Sequence, residues 1–394
     1  MNNQPVPLIL PTPSGYNIAR GIEHFLQSKY LPERPVPLVD ADLWVPTRFR
    51  VFGDTGRIVE LQRHLRGADI YVVGDVQSQA TIVPDFKRVI HLGHDITLWK
   101  DAYRVTDNKG SSLETRSTKL PIDQNFMDLL RTIEAARNAG KERTRITAVL
   151  PFFPYSRQDR RGGRYSLDSK LATTLLEASG VNHILTLDVH NPSAMESAVN
   201  APMFVDQMTA TYTFLGVLRA HPEWYPLENL YFVAPDSGAL ERNKVYAEEL
   251  GCPVNYIYKR RDRSKANVVD GMFGFAGDPK GLESKDVILV DDMIDSGGTL
   301  IQAAEYLRSL RVHSVTAVTT HPVFSYPAFE RLDDAYARGL LTRVFATNAV
   351  TLKSRDWDKY RDWLCPVDIT KYFAKAIDRL NRDESISELL KETG

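Results

Sequence analysis

Hydrophobic positions follow two alternating rhythms along this chain. Short runs rich in β-branched residues occupy positions 70–73, 146–153, 183–189, 230–234, 254–258, 287–290, 315–320 and 344–347, and each reads as a strand buried on both faces. Segments of helical period lie between many of them. Residues 125–139 put Phe126, Leu129, Leu130, Ile133 and Ala136 on one face, and 168–178 repeat at Leu171, Leu175 and Leu176. Residues 300–310 repeat at Leu300, Ala303, Ala304, Leu307 and Leu310. Alternating strand and helix predict an α/β protein with parallel sheets flanked by helices. The rhythm is similar before and after about Asn200, which predicts two stacked α/β units. Residues 94–120 break it. They are polar and mixed in charge, and they read as a long surface insertion with its own hairpin.

Composition narrows the class. The chain has 394 residues, enough for two or three domains at about 150 residues each. Lys plus Arg is 49 and Asp plus Glu is 50, so there is no basic excess to coat nucleic acid or an anionic membrane. Cys252 and Cys365 are too few for a disulfide framework or a cysteine-based zinc site. Residues 1–16 carry no charged side chain and four prolines, unlike a signal peptide, and no apolar run approaches the ~20 residues of a membrane span. The expectation is a cytoplasmic protein acting on small molecules, with neither nucleic acid nor membrane as partner. The sequence holds no G-x-x-x-x-G-K-[ST], G-x-S-x-G or H-E-x-x-H motif.

Residues 287–300, V-I-L-V-D-D-M-I-D-S-G-G-T-L, carry the most chemistry. An apolar strand runs into Asp291 and Asp292. A turn follows with Asp295, Ser296, Gly297, Gly298 and Thr299, and then an amphipathic helix. Glycines let backbone N–H groups converge on an anion, and the helix start adds partial positive charge. Two adjacent carboxylates repel each other unless a cation or sugar hydroxyls engage them. Phosphate at one end and a diol at the other describe a ribose 5-phosphate. An ordinary turn with Ser296 or Thr299 capping the helix is the plainer alternative. Asp236, Ser237 and Gly238 form a second strand-end turn ahead of a helix at 240–250.

The 287–300 segment resembles the phosphoribosyl-diphosphate loop of type I phosphoribosyltransferase folds. Its V-D-D-M-I-D-x-x-G-T form is similar to that of the ribose-phosphate diphosphokinase (phosphoribosyl diphosphate synthase) family. Further motifs follow in the family's order. They are Arg66-Gly67-Ala68-Asp69, Pro154-Tyr155-Ser156-Arg157-Gln158-Asp159-Arg160-Arg161, Asp188-Val189-His190, Pro235-Asp236-Ser237-Gly238, Lys259-Arg260-Arg261 and Thr320-His321-Pro322.

The resemblance implies two stacked phosphoribosyltransferase-like domains. The first spans 1–204 with the insertion near 94–120, the second spans 205–361, and C-terminal helices over 362–394 return to the first. It implies transfer of the diphosphoryl group of ATP to the anomeric hydroxyl of ribose 5-phosphate by a homo-oligomer. Lys259 and Arg261 would be the catalytic cations. Phe52, Asp54, Arg157, Gln158 and Asp159 would bind ATP, although Gly56 stands where the family has Glu. Asp236, Asp291, Asp292, Asp295, Ser296, Gly297, Gly298 and Thr299 would bind ribose 5-phosphate, and His190 and Asp236 would hold Mg2+. A phosphoribosyltransferase would share the Asp291 loop but lack R-Q-D and K-R-R. A catalytically silent regulatory relative is the other alternative.

Overall fold

The β-branched runs form strands where the pattern places them, and parallel pairing explains why they are continuously apolar. A strand inside a parallel sheet is covered on both faces, so every side chain along it is buried. The computed structural model describes residues 5–34, 41–52, 56–84, 94–100, 102–107, 109–141, 144–160, 163–200, 202–259 and 273–389. The chain divides into two units. The first comprises 1–209, 349–353 and 369–392; the second comprises 210–348, 354–368 and 393–394. Among the described residues no helix is long and apolar enough to cross a membrane.

The first unit contains β1 (Pro7–Pro11), α1 (Tyr16–Phe25), β2 (Thr47–Val51), β3 (Arg57–Leu61), β4 (Asp69–Val73), β5 (Thr81–Pro84), β6 (His94–Leu98), β7 (Tyr103–Asp107) and β8 (Thr115–Thr118). It continues through α2 (Ile122–Gly140), β9 (Arg145–Leu150), α3 (Asp168–Ser179), β10 (His183–Leu187), α4 (Pro192–Ala198) and β11 (Phe204–Met208). A five-stranded parallel sheet has the order β1-β4-β9-β10-β11. Its edge strand β1 carries prolines at both ends, while Ile9 between them donates to Leu43 O at 2.8 Å and accepts from Val45 N at 3.0 Å on the side away from β4.

A four-stranded antiparallel sheet, β3-β2-β6-β7, stands beside a two-stranded pair, β5-β8. The β6–β7 hairpin is present, but β6 is not a surface segment. Ile96 and Leu98 are core, Trp44 Nε1 donates to Leu98 O at 3.1 Å, and buried Asp95 pairs with Arg48. His94 and Asp95 gave this segment its polar look and hid the alternation. The expected strand at 146–153 ends at Leu150, before Pro151, which has no N–H for the ladder.

The second unit contains α5 (Thr211–Ala220), β12 (Leu230–Ala234), α6 (Leu240–Leu250), β13 (Val254–Lys259), β14 (Phe273–Phe275), β15 (Asp286–Ile294) and α7 (Gly298–Ser309). It ends with β16 (Ser314–Pro322), α8 (Ala328–Ala337), β17 (Arg343–Thr347), α9 (Ser354–Lys359) and β18 (Leu364–Val367). Its sheet has the order β14-β13-β12-β15-β16-β17-β18 and is parallel except for β14. Of the aromatic group Trp357, Tyr360 and Trp363, Tyr360 and Trp363 are core residues here and Trp357 is half-buried.

The chain then returns to the first unit as α10 (Thr370–Asn381). A Cβ on Gly21 would come within 2.7 Å of Thr370, so a glycine is required where α1 crosses α10. Polar ties lock the helix in place. Arg34 Nε donates to Asp378 Oδ1 at 2.7 Å, and Asn381 Nδ2 donates to Asp69 Oδ2 at 2.7 Å. Asp69 also pairs with Arg145 at 2.7 Å and accepts from Tyr71 Oη at 2.8 Å. The aspartate of the R-G-A-D motif is therefore a buried structural anchor.

Asp75, fully buried after β4, binds the crossing segment 349–353. It accepts from Thr351 N at 2.6 Å and from Gln77 N at 3.1 Å, and Gln79 N donates to Thr351 O at 2.8 Å. Asp75→Ala strands these buried donors. The variant is expected to lose about 1–3 kcal/mol of stability, read as a lower urea midpoint.

Candidate active site

The strand order of the second unit turns about at one place. The chain leaves β12 for β13 on one side, then returns to lay β15, β16, β17 and β18 in succession on the other. The carboxyl ends of β12 and β15 flank that switch point, where open α/β sheets bind ligands. The parallel sheet of the first unit runs β1 to β11 without reversal and has no such point. Asp236 follows β12, and Asp291 and Asp292 lie near the end of β15, so the topology brings these three acids to the switch.

Asp291 is half-buried opposite Thr319 of β16. Its Oδ1 accepts from Asp292 N at 2.9 Å. Burial, and then the neighbouring Asp292 carboxylate, push its carboxyl up from the ordinary value to about 8. Asp292 is 5% exposed, and Arg242 Nη1 lies 3.6 Å from its Oδ1. The strand end thus holds a crowded acid pair beside a single guanidinium.

The turn beyond it is a different environment. Gly297 has φ 77°, in the left-handed region that disfavours a side chain, and it leads into α7. No side chain caps α7, so the capping role open to Ser296 or Thr299 is not taken. Half-buried Gly298 and exposed Thr299 open the first turn of α7. Arg331 of α8 donates to Ser296 O at 3.4 Å. Backbone donors, a helix start and this guanidinium make the turn a cradle for an anion. Sequence reasoning missed Arg331, which lies far along the chain with no local motif. It also missed Arg242, which is legible only once α6 is known to start from the Asp236 turn. Asp236 is exposed, and its Oδ1 accepts from Ala239 N at 3.0 Å.

The first unit gathers a second group. Exposed Arg157 and Gln158 and half-buried Asp159 follow β9. The Asp159 carboxylate accepts from the Asn191 amide, and Asn191 Oδ1 accepts from Ala194 N at 3.1 Å to cap α4. Pro192 fits because it occupies the first turn of α4, where no N–H partner is needed. His190, exposed, immediately precedes this link, so the 157–159 loop and His190 share one strand-end region. Tyr155 (φ 56°) and Asp188 (φ 40°) hold left-handed backbone on either side of it. Such strain, ~1–3 kcal/mol per residue, concentrates at functional turns.

Phe52 directly follows β2 of the antiparallel sheet, where it is exposed rather than packed. Lys259 closes β13, its backbone opposite Phe273. The Lys259 side chain, Asp54 and Arg261 lie outside the described residues.

The phosphoribosyl transferase domain model matches residues 217–355, and the model for the N-terminal domain of ribose phosphate pyrophosphokinase matches 113–180. Fold and site together define a protein of the phosphoribosyltransferase class. The chain is 34% identical over 271 residues to the ribose-phosphate pyrophosphokinase of Aquifex aeolicus, which is 68% of this chain and 80% of that protein. It is 34% identical over 273 residues to that of Wolinella succinogenes, 69% of this chain and 81% of that protein. The solved phosphoribosylpyrophosphate synthetase from Mycobacterium smegmatis shares the fold, with a TM-score of 0.69 over 96% of this chain and 99% of that chain at 24% identity. The chain belongs to the ribose-phosphate pyrophosphokinase family.

Proposed function

We propose that this chain transfers the intact diphosphoryl group of ATP to the anomeric hydroxyl of ribose 5-phosphate, yielding phosphoribosyl diphosphate and AMP. The observation that carries the reading is the two-ended switch-point loop. Acids at Asp291 and Asp292 meet the sugar hydroxyls, and the uncapped turn at 295–299 meets the 5-phosphate. The anomeric oxygen bonds to the β-phosphorus, its proton leaves, and the bond from that phosphorus to the oxygen of AMP breaks. Charge develops on the β,γ-phosphates and on AMP, so catalysis needs cations and positioning. Lys259 and Arg261 supply the cations. Arg157, Gln158 and Asp159 hold the nucleotide, with Phe52 stacked on adenine and Asp54 hydrogen-bonded to it.

Among the described residues no group of three or more His, Cys, Asp or Glu side chains could hold a metal alone. Mg2+ takes one or two protein groups and fills its octahedron with water and substrate phosphate oxygens. His190 and Asp236, both exposed, would hold it, and the ion would neutralise phosphate charge. A cytoplasmic homo-oligomer completes the proposal.

The deciding assay is AMP release from ATP. Release is expected only with ribose 5-phosphate present, is expected to stop in excess EDTA, and is expected to return with added Mg2+. Release that ignores the sugar phosphate, or that persists without divalent metal, would refute the reading.

A further inference from the structure

Pairing between β12 and β15 runs from Leu230 opposite Asp286 to Phe232 opposite Ile288, and ends there. Continuing that register would set Ala234 opposite Val290. Among the described residues the pairing does not reach that far. Val290 is 1% exposed, so its backbone N–H and C=O on that side need partners from the protein. One side chain supplies both. Val290 N donates to Asn243 Oδ1 at 3.3 Å, and Asn243 Nδ2 donates to Val290 O at 2.9 Å. The carboxamide copies the donor and acceptor of a peptide group and caps the ladder where pairing with β12 has ended.

The same amide nitrogen donates to Ala239 O at 2.9 Å. Ala239 closes the turn whose Asp236 accepts from Ala239 N. Asn243 therefore joins the Asp236 turn to the residue directly before Asp291, and its neighbour Arg242 reaches Asp292. Asn243 is fully buried, and packing alone would be met by an apolar residue.

We propose that Asn243 is a positioning residue for the ribose 5-phosphate site, its carboxamide standing in for absent strand backbone and fixing the Asp236 turn against Asp291. This rests on the proposed function and adds to it a residue that touches neither substrate.

Two variants test it. Asn243→Leu keeps bulk and removes all three bonds; Asn243→Ser leaves a small polar group. Leu215→Ala, in the core of α5, is a destabilised control from the same unit. Both Asn243 variants are expected to raise the KM for ribose 5-phosphate about tenfold or more, with the KM for ATP held within about twofold. Leu215→Ala should lower the melting temperature without separating the two constants. Constants that move together in the Asn243 variants, or do not move, would overturn the proposal.

A second measurement needs no variant. Hydrogen exchange at the Val290 and Ala239 amides of the wild-type chain is expected to slow together when ribose 5-phosphate is added; unchanged exchange would also overturn the proposal. A wild type that releases no AMP fails the proposed function instead.

Discussion

Arg261→Ala is expected to lower kcat by about a thousandfold or more while leaving the melting temperature within about a degree. The chemistry sets the size. Attack at the β-phosphorus spreads charge over oxygens that water would otherwise solvate, and a cation brought to them acts only when that charge appears. Such a group lowers the barrier without contributing to ground-state folding, so rate and stability should separate. Lys259→Ala should behave likewise, because the two residues flank Arg260 in the sequence. The KM for ribose 5-phosphate should change little, since the proposed function has the sugar held from Asp291 onward. Steady-state AMP release and calorimetry on the same preparations check this. A rate within about tenfold of wild type would remove Arg261 from the mechanism.

The second large effect is expected at Asp291, and its two readouts should move in opposite directions. Asp291→Asn should lower kcat/KM for ribose 5-phosphate by about a hundredfold, because an oxygen of the carboxyl proposed to meet the sugar hydroxyls is replaced by an amide NH2 that can only donate. It should also raise the melting temperature, because a carboxyl that burial and Asp292 both disfavour is replaced by a neutral amide.

The pH dependence follows from the same cause. The folded carboxyl titrates at about 8, above its unfolded value of 3.8. Between those pH values the folded state keeps a proton that the unfolded state has released, so stability falls as pH rises through the window. Buried Asp75, pushed up to about 7, acts in the same direction but stops there. Asp291 therefore carries the decline to higher pH than Asp75 does. Melting curves at pH 5, 7 and 8.5 should show the wild type falling over the last interval and Asp291→Asn flat across it. A variant no more stable than wild type at pH 8.5 would contradict this account.

The inner parallel strands were legible where their burial is uniform, whereas β1, β11 and β18 at or near the sheet edges were not read, β11 and β18 being only partly buried. Runs such as I-Y-V-V in β4 and V-I-L-V in β15 need no context to read. Helices α3, α6 and α7 start and stop within two residues of their periodic patterns. The antiparallel sheet was not legible. β3 alternates half-buried with exposed positions, β7 is exposed at Tyr103 and Arg104 and buried at Val105, and both carry charged residues, so they look like loops until Arg48 and Asp95 are seen to neutralise each other across β2 and β6.

The site divides in the same way. Motifs confined to one turn, such as D-D-M-I-D-S-G-G-T, carry their chemistry in sequence. Arg242, Asn243 and Arg331 act on that turn from other helices. Their roles depend on which helix the fold places over β15, and no local spacing encodes that.

The position of α10 has a consequence for synthesis on the ribosome. The first unit draws its core from residues 5–209 and from a helix that begins at Thr370. While the ribosome is still translating the second unit, Asp69, Arg34 and the α1 groove around Gly21 lack their partners. The amino-terminal unit is therefore translated first but completed last, and in the interval its unfinished surface is what a chaperone would meet.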